Sequence, residues 1–308
     1  MKKVMIITAI IGCMTFTGQA QDKNILFSQY MFNGLTLNPA YAGSHEVFSA
    51  GLLSRYQWLG FEGAPKDYAL NLHGPGKNTR TGWGANMMYG TSGLRSTFSL
   101  FANYAYRLPL GPGTLSMGLK AGMASANQQI DESIASDPLY SENASDYILP
   151  NFGIGFYYNT KRLFAGFSVP LILGYKSSSN GSTTINHDFA MYTYYLTAGV
   201  HLHAGEKWKI TPSLLALYES SSGAVLDGTL NVLYRELFGV GLSYRTSGAL
   251  IAMLNYRMGY QTTVGLAYDF GIYDYRIGDI NWYNRSSFEI AIQVDLGFKV
   301  NRTNPIVF

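Results

Sequence analysis

Apolar and polar residues alternate with a period of two along most of this chain. In Phe238–Arg245, phenylalanine, valine, leucine and tyrosine alternate with two glycines, a serine and an arginine. From Phe288 onward, six apolar residues alternate with positions that include Glu289, Gln293 and Asp295. Such alternation is typical of β-strands with one apolar and one polar face. It predicts about fourteen strands, near residues 47–56, 66–73, 81–89, 95–107, 113–124, 150–159, 162–169, 190–203, 207–218, 225–234, 238–246, 248–257, 261–270 and 286–299.

Alternation also fits a soluble sandwich, but three features favour a barrel that spans a membrane. The polar faces carry small residues and single charges, as a wet or plugged lumen would, and the apolar faces end in tyrosine and tryptophan. The long connections, at 125–149, 170–189 and 271–285, all follow odd-numbered strands, whereas connections after even-numbered strands are short. Short periplasmic turns and longer outer loops characterise outer-membrane barrels. We therefore predict an all-β fold: a transmembrane antiparallel up-and-down β-barrel of about 14 strands with an N-terminal luminal or periplasmic segment.

The composition agrees with this class and excludes several others. Only 13% of the residues are charged and 15% are aromatic, which excludes a disordered chain. Past residue 20 the sequence contains no apolar run of the roughly 20 residues that a transmembrane helix needs. The formal net charge is +3 without a basic run, so the electrostatic footprint of a nucleic-acid-binding protein is missing.

The first twenty residues predict export. Lys2 and Lys3 precede a short apolar run, and Gly18-Gln19-Ala20 offers small residues for cleavage near Ala20, which is the pattern of a secretory signal peptide. The single cysteine, Cys13, lies in this segment; a lipoprotein cleavage box is the alternative to an incidental cysteine, which we favour. The mature chain then has no disulfide. The predicted organisation is a signal peptide at 1–20, a plug or periplasmic segment at 21–46 and an outer-membrane barrel at 47–308.

The search for catalytic or metal-binding chemistry favours a protein that is not an enzyme. His201 and His203 share a strand face and could clamp a metal only with a third ligand. No G-x-S-x-G motif occurs, so an outer-membrane phospholipase is an unsupported alternative. Aspartates 131, 137 and 146 miss the spacing of a calcium loop. We predict no catalytic residues, no cofactor and no metal.

Three motifs between residues 25 and 65 depart from the strand pattern: FSQYMFN from Phe27, LNPAYAGS from Leu37, and R-x-Q-W-x-G-F-x-G-A-P from Arg55. Asn38-Pro39 predicts a turn, which the nearby aromatic residues would anchor in the lumen or at its periplasmic mouth. The residues that we expect to plug the barrel or bind a partner are Phe27, Ser28, Gln29, Tyr30, Phe32, Asn38, Pro39, Ala40, Tyr41, Gly43 and Trp58.

With these motifs the chain resembles the PorP/SprF family, outer-membrane barrel proteins of the type IX secretion and gliding system of Bacteroidetes. Further matches include FGIGFYY from Phe152, GFSVP from Gly166 and PSLL from Pro212, so the resemblance covers the whole mature chain. One departure is Phe288, which replaces a histidine that the family usually carries before Glu289.

The resemblance implies a non-catalytic component that helps to secrete or surface-localise large adhesins with a type-B C-terminal domain. It also implies partners among the periplasmic and lipoprotein components of the machinery, contact with outer-membrane lipid and no nucleic acid. We expect residues 25–45 to occlude the lumen, and the outer loops 125–149 and 170–189 to face the cargo.

The alternative is a hydrophobic-substrate uptake channel similar to the FadL family, which has about fourteen strands and an N-terminal hatch with an Asn-Pro-Ala turn. Asn38-Pro39-Ala40 matches that turn. Against this alternative, the chain is markedly shorter than members of that family and has no long apolar outer loop.

Overall fold

The structure, a computed structural model, describes most of the chain after the predicted signal peptide. The predicted cleavage site, the aspartates of the 125–149 connection and the C-terminal tail lie outside the described residues. The structure describes residues 27–77, 80–128, 147–177, 183–186, 189, 192–220, 223–272, 275–277, 280–282 and 286–297.

The described residues form three short helical turns followed by strands. The turns are a 3-10 turn at Tyr30–Phe32, helix α1 at Gly34–Leu37 and a second 3-10 turn at Pro39–Tyr41. The strands are β1 (Phe48–Tyr56), β2 (Lys66–Pro75), β3 (Thr81–Ser92), β4 (Arg95–Leu110), β5 (Gly113–Gln128), β6 (Tyr147–Asn159), β7 (Leu163–Val169), β8 (Gly174–Ser177), β9 (Thr183–Asn186), β10 (Thr193–Val200), β11 (Leu202–Ala204), β12 (Trp208–Glu219), β13 (Gly223–Tyr234), β14 (Phe238–Arg245), β15 (Ala249–Met258), β16 (Thr262–Gly271), β17 (Tyr275–Ile277), β18 (Ile280–Trp282) and β19 (Ser287–Leu296).

Fourteen of these strands close into one antiparallel barrel. Each barrel strand pairs with the next barrel strand along the chain. The first strand, β1, also pairs with the last, β19, which closes the barrel. In this register Arg55 lies opposite Asp67 of β2 on one side and Glu289 of β19 on the other. The gap between β7 and β12 is closed by β10, which β11 extends. The two-stranded pairs β8–β9 and β17–β18 lie within the connections from β7 to β10 and from β16 to β19. The prediction of a barrel of about fourteen strands is confirmed.

The two ends of the barrel differ in the length of their connections. At one end the strands are joined through 76–80, 111–112, 160–162, 201–207, 235–237 and 259–261, and at the other the connections include 57–65, 129–146, 170–192 and 272–286. Since outer-membrane barrels have short periplasmic turns and longer outer loops, we assign the second end to the cell exterior and refer to it as the outer end.

The strand faces divide as the alternation predicted. The surface of the barrel is apolar, with side chains such as Leu119 and Leu242 exposed by 61% and 56%. The opposite face of the same strands carries buried polar residues such as Asn103 and Thr229. Aromatic rings pack in pairs near the short-connection end, among them the exposed Trp208 with the half-buried Tyr234, whose centroids are 4.6 Å apart. An apolar band ending in aromatic residues is what a barrel surrounded by lipid requires.

The hydrophobic core lies inside the barrel, around the N-terminal residues. We call residues Phe27–Glu46 the luminal segment, because its buried side chains pack against inward-facing residues of the strands. Its beginning packs in one cluster with Leu53 and Ile251. Among the described residues, no helix is both long and apolar enough to cross a membrane.

Candidate functional site

The luminal segment owes its compact path to a capped turn in its middle. Asn38 accepts a hydrogen bond from the Ala40 N–H at 2.9 Å, and Pro39 takes the first position of the turn. Both choices are favourable, because an asparagine side chain satisfies an otherwise unpaired N–H and proline has none to satisfy. The Asn38 amide also donates to the Phe156 carbonyl oxygen of β6 at 2.9 Å. One side chain therefore shapes the turn and attaches it to the barrel wall.

Apolar contacts hold the segment on several sides of the lumen. Phe27, Met31 and Phe32 pack against inward-facing residues of β1, β15 and neighbouring strands. Tyr30 and Leu37 pack against a separate group on β10, β12 and β13. The end of the segment packs against Ala105, Tyr157 and Phe164. The segment thus bridges opposite walls of the barrel.

Glycines in the wall allow the backbone of the segment to come unusually close. A Cβ on Gly118 of β5 would overlap the backbone nitrogen of Ala40, and a Cβ on Gly155 of β6 would overlap the Asn38 side chain. Glycine is therefore needed at these two mid-strand positions of the polar face because any side chain there would occupy the space of the luminal segment.

A cluster of buried charges attaches the beginning of the segment to the outer half of the barrel. We call this the ionic cluster; it comprises Arg55, Asp227, Arg245, Asp269 and Glu289, with Ser28 of the luminal segment. Arg55 pairs with Asp269 at 2.7 Å and also with Glu289, its neighbour across β1 and β19. Arg245 pairs with Asp227 at 3.0 Å.

The segment completes this cluster with its own backbone. The two Glu289 carboxylate oxygens accept the N–H groups of Ser28, at 2.6 Å, and Gln29, at 3.0 Å. The Ser28 hydroxyl donates to Asp269 at 2.8 Å and accepts from Arg55 at 2.8 Å. Glu289 therefore satisfies the first N–H groups ahead of the 3-10 turn, much as a cap does at the start of a helix.

The energetics of the ionic cluster depend on all its members being present. Three carboxylates and two guanidinium groups lie there, each exposed by at most 7%. Removing ions from water is costly, and only good geometry with further hydrogen bonds offsets that cost. Losing one member would leave a buried charge unpaired, which links the position of the segment to the stability of the barrel.

A second polar cluster holds the end of the segment near the short-connection end. We call it the histidine cluster; it comprises Tyr41, His45, Ser49, His73 and Asp295. The Tyr41 hydroxyl lies 2.9 Å from His45 Nε2, and His45 Nδ1 lies 3.2 Å from Asp295. When the Tyr41 hydroxyl donates to His45 Nε2, the other ring nitrogen carries the proton, and this Nδ1–H faces Asp295.

The histidine cluster is not arranged as a nucleophilic triad. Ser49 and Asp295 both approach Nδ1 of His45, and Ser49 donates to the carboxylate at 2.6 Å. A triad needs the hydroxyl and the acid on opposite nitrogens of the ring. Within the described ranges, no group of three histidine, cysteine, aspartate or glutamate side chains is placed to hold a metal ion. His201 is buried against Thr211, whereas His203 is exposed.

Between the two clusters, single polar side chains of the wall bind the middle of the segment. Lys120 Nζ lies 3.3 Å from the Thr36 carbonyl oxygen, and 4.4 Å above the ring of Phe101. Ser168 donates to the Leu37 carbonyl oxygen at 2.7 Å. Asn71 donates to the Asn33 side chain at 2.6 Å. These contacts satisfy polar groups that burial would otherwise penalise.

A cavity remains between the segment and the wall formed by β6, β7, β10, β12 and β13. The centres of water-sized spheres can occupy about 40 Å³ of it, and rings of Tyr30, Tyr157 and Phe164 line it. Asn231 also lines it, and neither its amide nitrogen nor its oxygen has a hydrogen-bond partner among the described residues.

Of the residues expected to plug the barrel or bind a partner, the structure brings all but one together. Gly43 lies beside the histidine cluster, where its N–H reaches His73 Nδ1 at 3.3 Å and its φ of +73° suits glycine. The other nine of this group are buried in the lumen: Phe27, Ser28, Gln29, Tyr30, Phe32, Asn38, Pro39, Ala40 and Tyr41.

Trp58 lies elsewhere, in the connection between β1 and β2 at the outer end. It is 41% exposed, and the nearby Phe61 is 48% exposed. Gly63 of this connection accepts a backbone hydrogen bond from Gly93 at 2.8 Å, which places it beside the exposed Leu94 of the next outer turn. We call Trp58, Phe61 and Leu94 the outer apolar patch.

Sequence reasoning did not identify the partners of the segment on the wall. The residues predicted to plug the barrel or bind a partner did not include Arg55, Asp269, Glu289, His45 or His73. A usable signal existed: Arg55 and Glu289 carry opposite charges on the polar faces of the first and last strands, which a closed barrel must pair.

The matching family model is described as "Type IX secretion system membrane protein PorP/SprF", and it covers residues 19–294. The chain belongs to this family. The PorP/SprF match extends from the luminal segment into the last barrel strand, so it includes the ionic cluster and every member of the histidine cluster except Asp295. No curated protein sequence matches the chain.

Solved structures similar to this PorP/SprF protein are outer-membrane channels with little sequence identity. The CymD monoaromatic hydrocarbon channel superposes with a TM-score of 0.53 and 14% identity, covering 89% of this chain and 94% of that one. A TodX monoaromatic hydrocarbon channel mutant gives a TM-score of 0.50 and 12% identity, with 89% and 95% covered. At such identities the likeness establishes the barrel fold alone.

Proposed function

We propose that this PorP/SprF protein helps to secrete or surface-localise partner adhesins, and that it does so without catalysis. It would act as an outer-membrane component of the type IX secretion and gliding machinery, together with its periplasmic and lipoprotein components. The cargo would be a large adhesin with a type-B C-terminal domain. Membership of the family carries the proposal.

The luminal segment supports a role that does not depend on an open pore. Hydrogen bonds reach it from wall residues on several sides, including Asp269, Lys120, Ser168 and Ser213. A segment held by buried ions, glycine contacts and three apolar clusters is costly to displace. The protein would then meet cargo and machinery through its exposed ends.

The outer apolar patch is the surface that we assign to the cargo. Exposed tryptophan and phenylalanine side chains are frequent anchors in protein interfaces. The φ of Trp58 is +48°, an uncommon conformation for a residue other than glycine, and such strain is often found at binding sites. The connections 125–149 and 170–189 would extend this surface.

The test is surface display of the adhesin in cells. A strain without this gene, and without a redundant copy, should lose the adhesin from its surface. In that strain, a Trp58→Ala/Phe61→Ala variant should fold and insert as a barrel but restore little of the adhesin display, because it lacks the proposed cargo anchors. Leu119→Ala, an exposed change on the lipid-facing surface, is the control and should restore display. Normal display in the deletion strain would refute the proposal.

The runner-up is uptake of a small hydrophobic substrate, and the aromatic cavity beside Asn231 is the observation that favours it. Uptake requires a route past the luminal segment, which the secretion role does not. Co-purification from a mild detergent separates the two. Recovery with secretion components would favour the first proposal, and recovery as a lone monomer with bound lipid or hydrocarbon would favour the second.

A further inference from the structure

The short-connection end carries an arc of positive charge on three neighbouring turns. These turns join β6 to β7, β10 to β12 and β13 to β14. Four basic residues are exposed there: Lys161, Arg162, Lys207 and Arg235. We call these four residues the basic arc. The exposed acidic residues of the same turns are Glu206 and Glu236, and none of the four basic residues forms an ion pair among the described residues.

Backbone hydrogen bonds join the turns into one continuous rim. The N–H of His201 donates to the Arg162 carbonyl oxygen at 2.6 Å. The N–H of Arg235 donates to the Lys207 carbonyl oxygen at 2.6 Å. The basic side chains therefore project from a fixed arc and not from three independent loops.

The arc coincides with the aromatic edge of the lipid-facing surface. Arg235 lies over the ring of Tyr234, with its guanidinium carbon 5.4 Å from the ring centre. That ring packs against Trp208, which is exposed on the apolar face of β12. Arg235 is therefore held on the outer perimeter of the barrel and not over its mouth. At this level a barrel in a bilayer meets the lipid headgroups.

The turn that presents Arg235 is also strained. Arg235 and Glu236 have φ values of +52° and +55°, a conformation that hairpins usually assign to asparagine and glycine. Glu236 pairs with Arg257 at 3.5 Å, so its charge is directed toward the next strand. Arginine at this position is conformationally unfavourable, which points to a role for its charge.

We propose that the basic arc binds the phosphate groups of anionic phospholipids in the periplasmic leaflet. Guanidinium and ammonium groups are suited to phosphate, and the aromatic rings beside them suit the boundary between acyl chains and headgroups. The bound lipids would fix the depth and rotation of this side of the barrel. The inference does not depend on the secretion role.

The test compares two variants that each remove one exposed arginine and one exposed lysine. Arg162→Gln/Lys207→Gln alters the arc, and Lys66→Gln/Arg95→Gln alters exposed positions at the outer end. Arg235→Asn provides a third variant, because asparagine tolerates its positive φ. Folding of each is checked by the loss of gel mobility on boiling. The readout is the shift of the thermal unfolding midpoint when phosphatidylglycerol or phosphatidylcholine is added to the detergent-purified protein.

Phosphatidylglycerol should raise the midpoint of the wild type and of the outer-end variant by several degrees, and phosphatidylcholine should not. The rise should fall by about half or more in the arc variants. It should also shrink in roughly 0.5 M salt, where charges are screened within a few ångströms. Equal responses to both lipids, or a full response in the arc variants, would overturn the proposal. So would an unchanged lipid response accompanied by loss of co-purifying secretion components, which would make the arc a protein-binding surface.

Discussion

At the scale of single residues, the position of the luminal segment depends on a few buried groups that connect it to the barrel wall. Arg55 is the centre of the ionic cluster, since it contacts Asp269, Glu289 and Ser28. Breaking a buried ion pair by removing one partner is costly, because it leaves the other charge unpaired.

Arg55→Met should therefore destabilise the protein by about 3–5 kcal/mol, as expected for a buried charge left without its partner. The urea dependence of unfolding in detergent measures the change. Arg95→Met, at an exposed position, is the control and should shift stability by less than about 0.5 kcal/mol. Similar losses of stability in both variants would show that Arg55 of the ionic cluster stabilises the protein no more than an exposed arginine does.

Gly118 tests the contact between wall and segment in the same way. A Cβ there would overlap the backbone nitrogen of Ala40, whereas a Cβ on Gly228 meets nothing within 4 Å. Gly118→Ala should cost about 1–3 kcal/mol, the usual penalty for overpacking, and should make the segment more susceptible to protease. Gly228→Ala should have little effect on either measurement. Equal behaviour of the two variants would mean that the segment does not rest against β5.

At the scale of elements, the strands follow from alternation, but the path of the luminal segment does not. The strand predicted near 238–246 is observed at Phe238–Arg245. The agreement is close because a half-buried strand alternates apolar and polar residues along its whole length. The predicted strand at 190–203 is interrupted, since β10 ends at Val200 and β11 begins at Leu202.

The luminal contacts are long-range, which is why the sequence did not reveal them. Ser28 and Glu289 are 261 residues apart, and no local pattern signals such a contact. The wall opposite the segment is also less polar than alternation suggested, since Leu53, Ile251 and Met253 face inward and are buried there. They take part in a core that exists only because the segment occupies the lumen.

The hairpin between β13 and β14 gives a prediction at this scale. Glycine adopts a positive φ without the roughly 1–2 kcal/mol that other residues incur, and the pairing of exposed Glu236 with Arg257 is worth less than about 1 kcal/mol. Glu236→Gly should therefore leave stability unchanged or raise it by up to about 1 kcal/mol. The reverse change, Gly259→Ala at a φ of +66° with free space around it, should destabilise. Thermal unfolding of both variants is the check: the midpoint should fall in Gly259→Ala and should not fall in Glu236→Gly.

At the scale of the whole molecule, the barrel and its luminal segment share one packed interior. The surface of the barrel is apolar and faces lipid, so the packed core must come from the lumen. The ionic cluster near the outer end and the histidine cluster near the opposite end hold the two ends of the segment. Such an arrangement suits a component that works through its exposed surfaces and does not conduct.

Single-channel recording in planar bilayers tests this central claim most directly. The purified mature protein should give no steady ion current, and a variant lacking residues 27–45 should open a continuous conductance if its barrel inserts. Gly118→Ala, which displaces the segment without removing it, should show intermittent openings. A steady current through the unaltered protein, equal to that of the displaced or deleted variants, would contradict an occluded barrel.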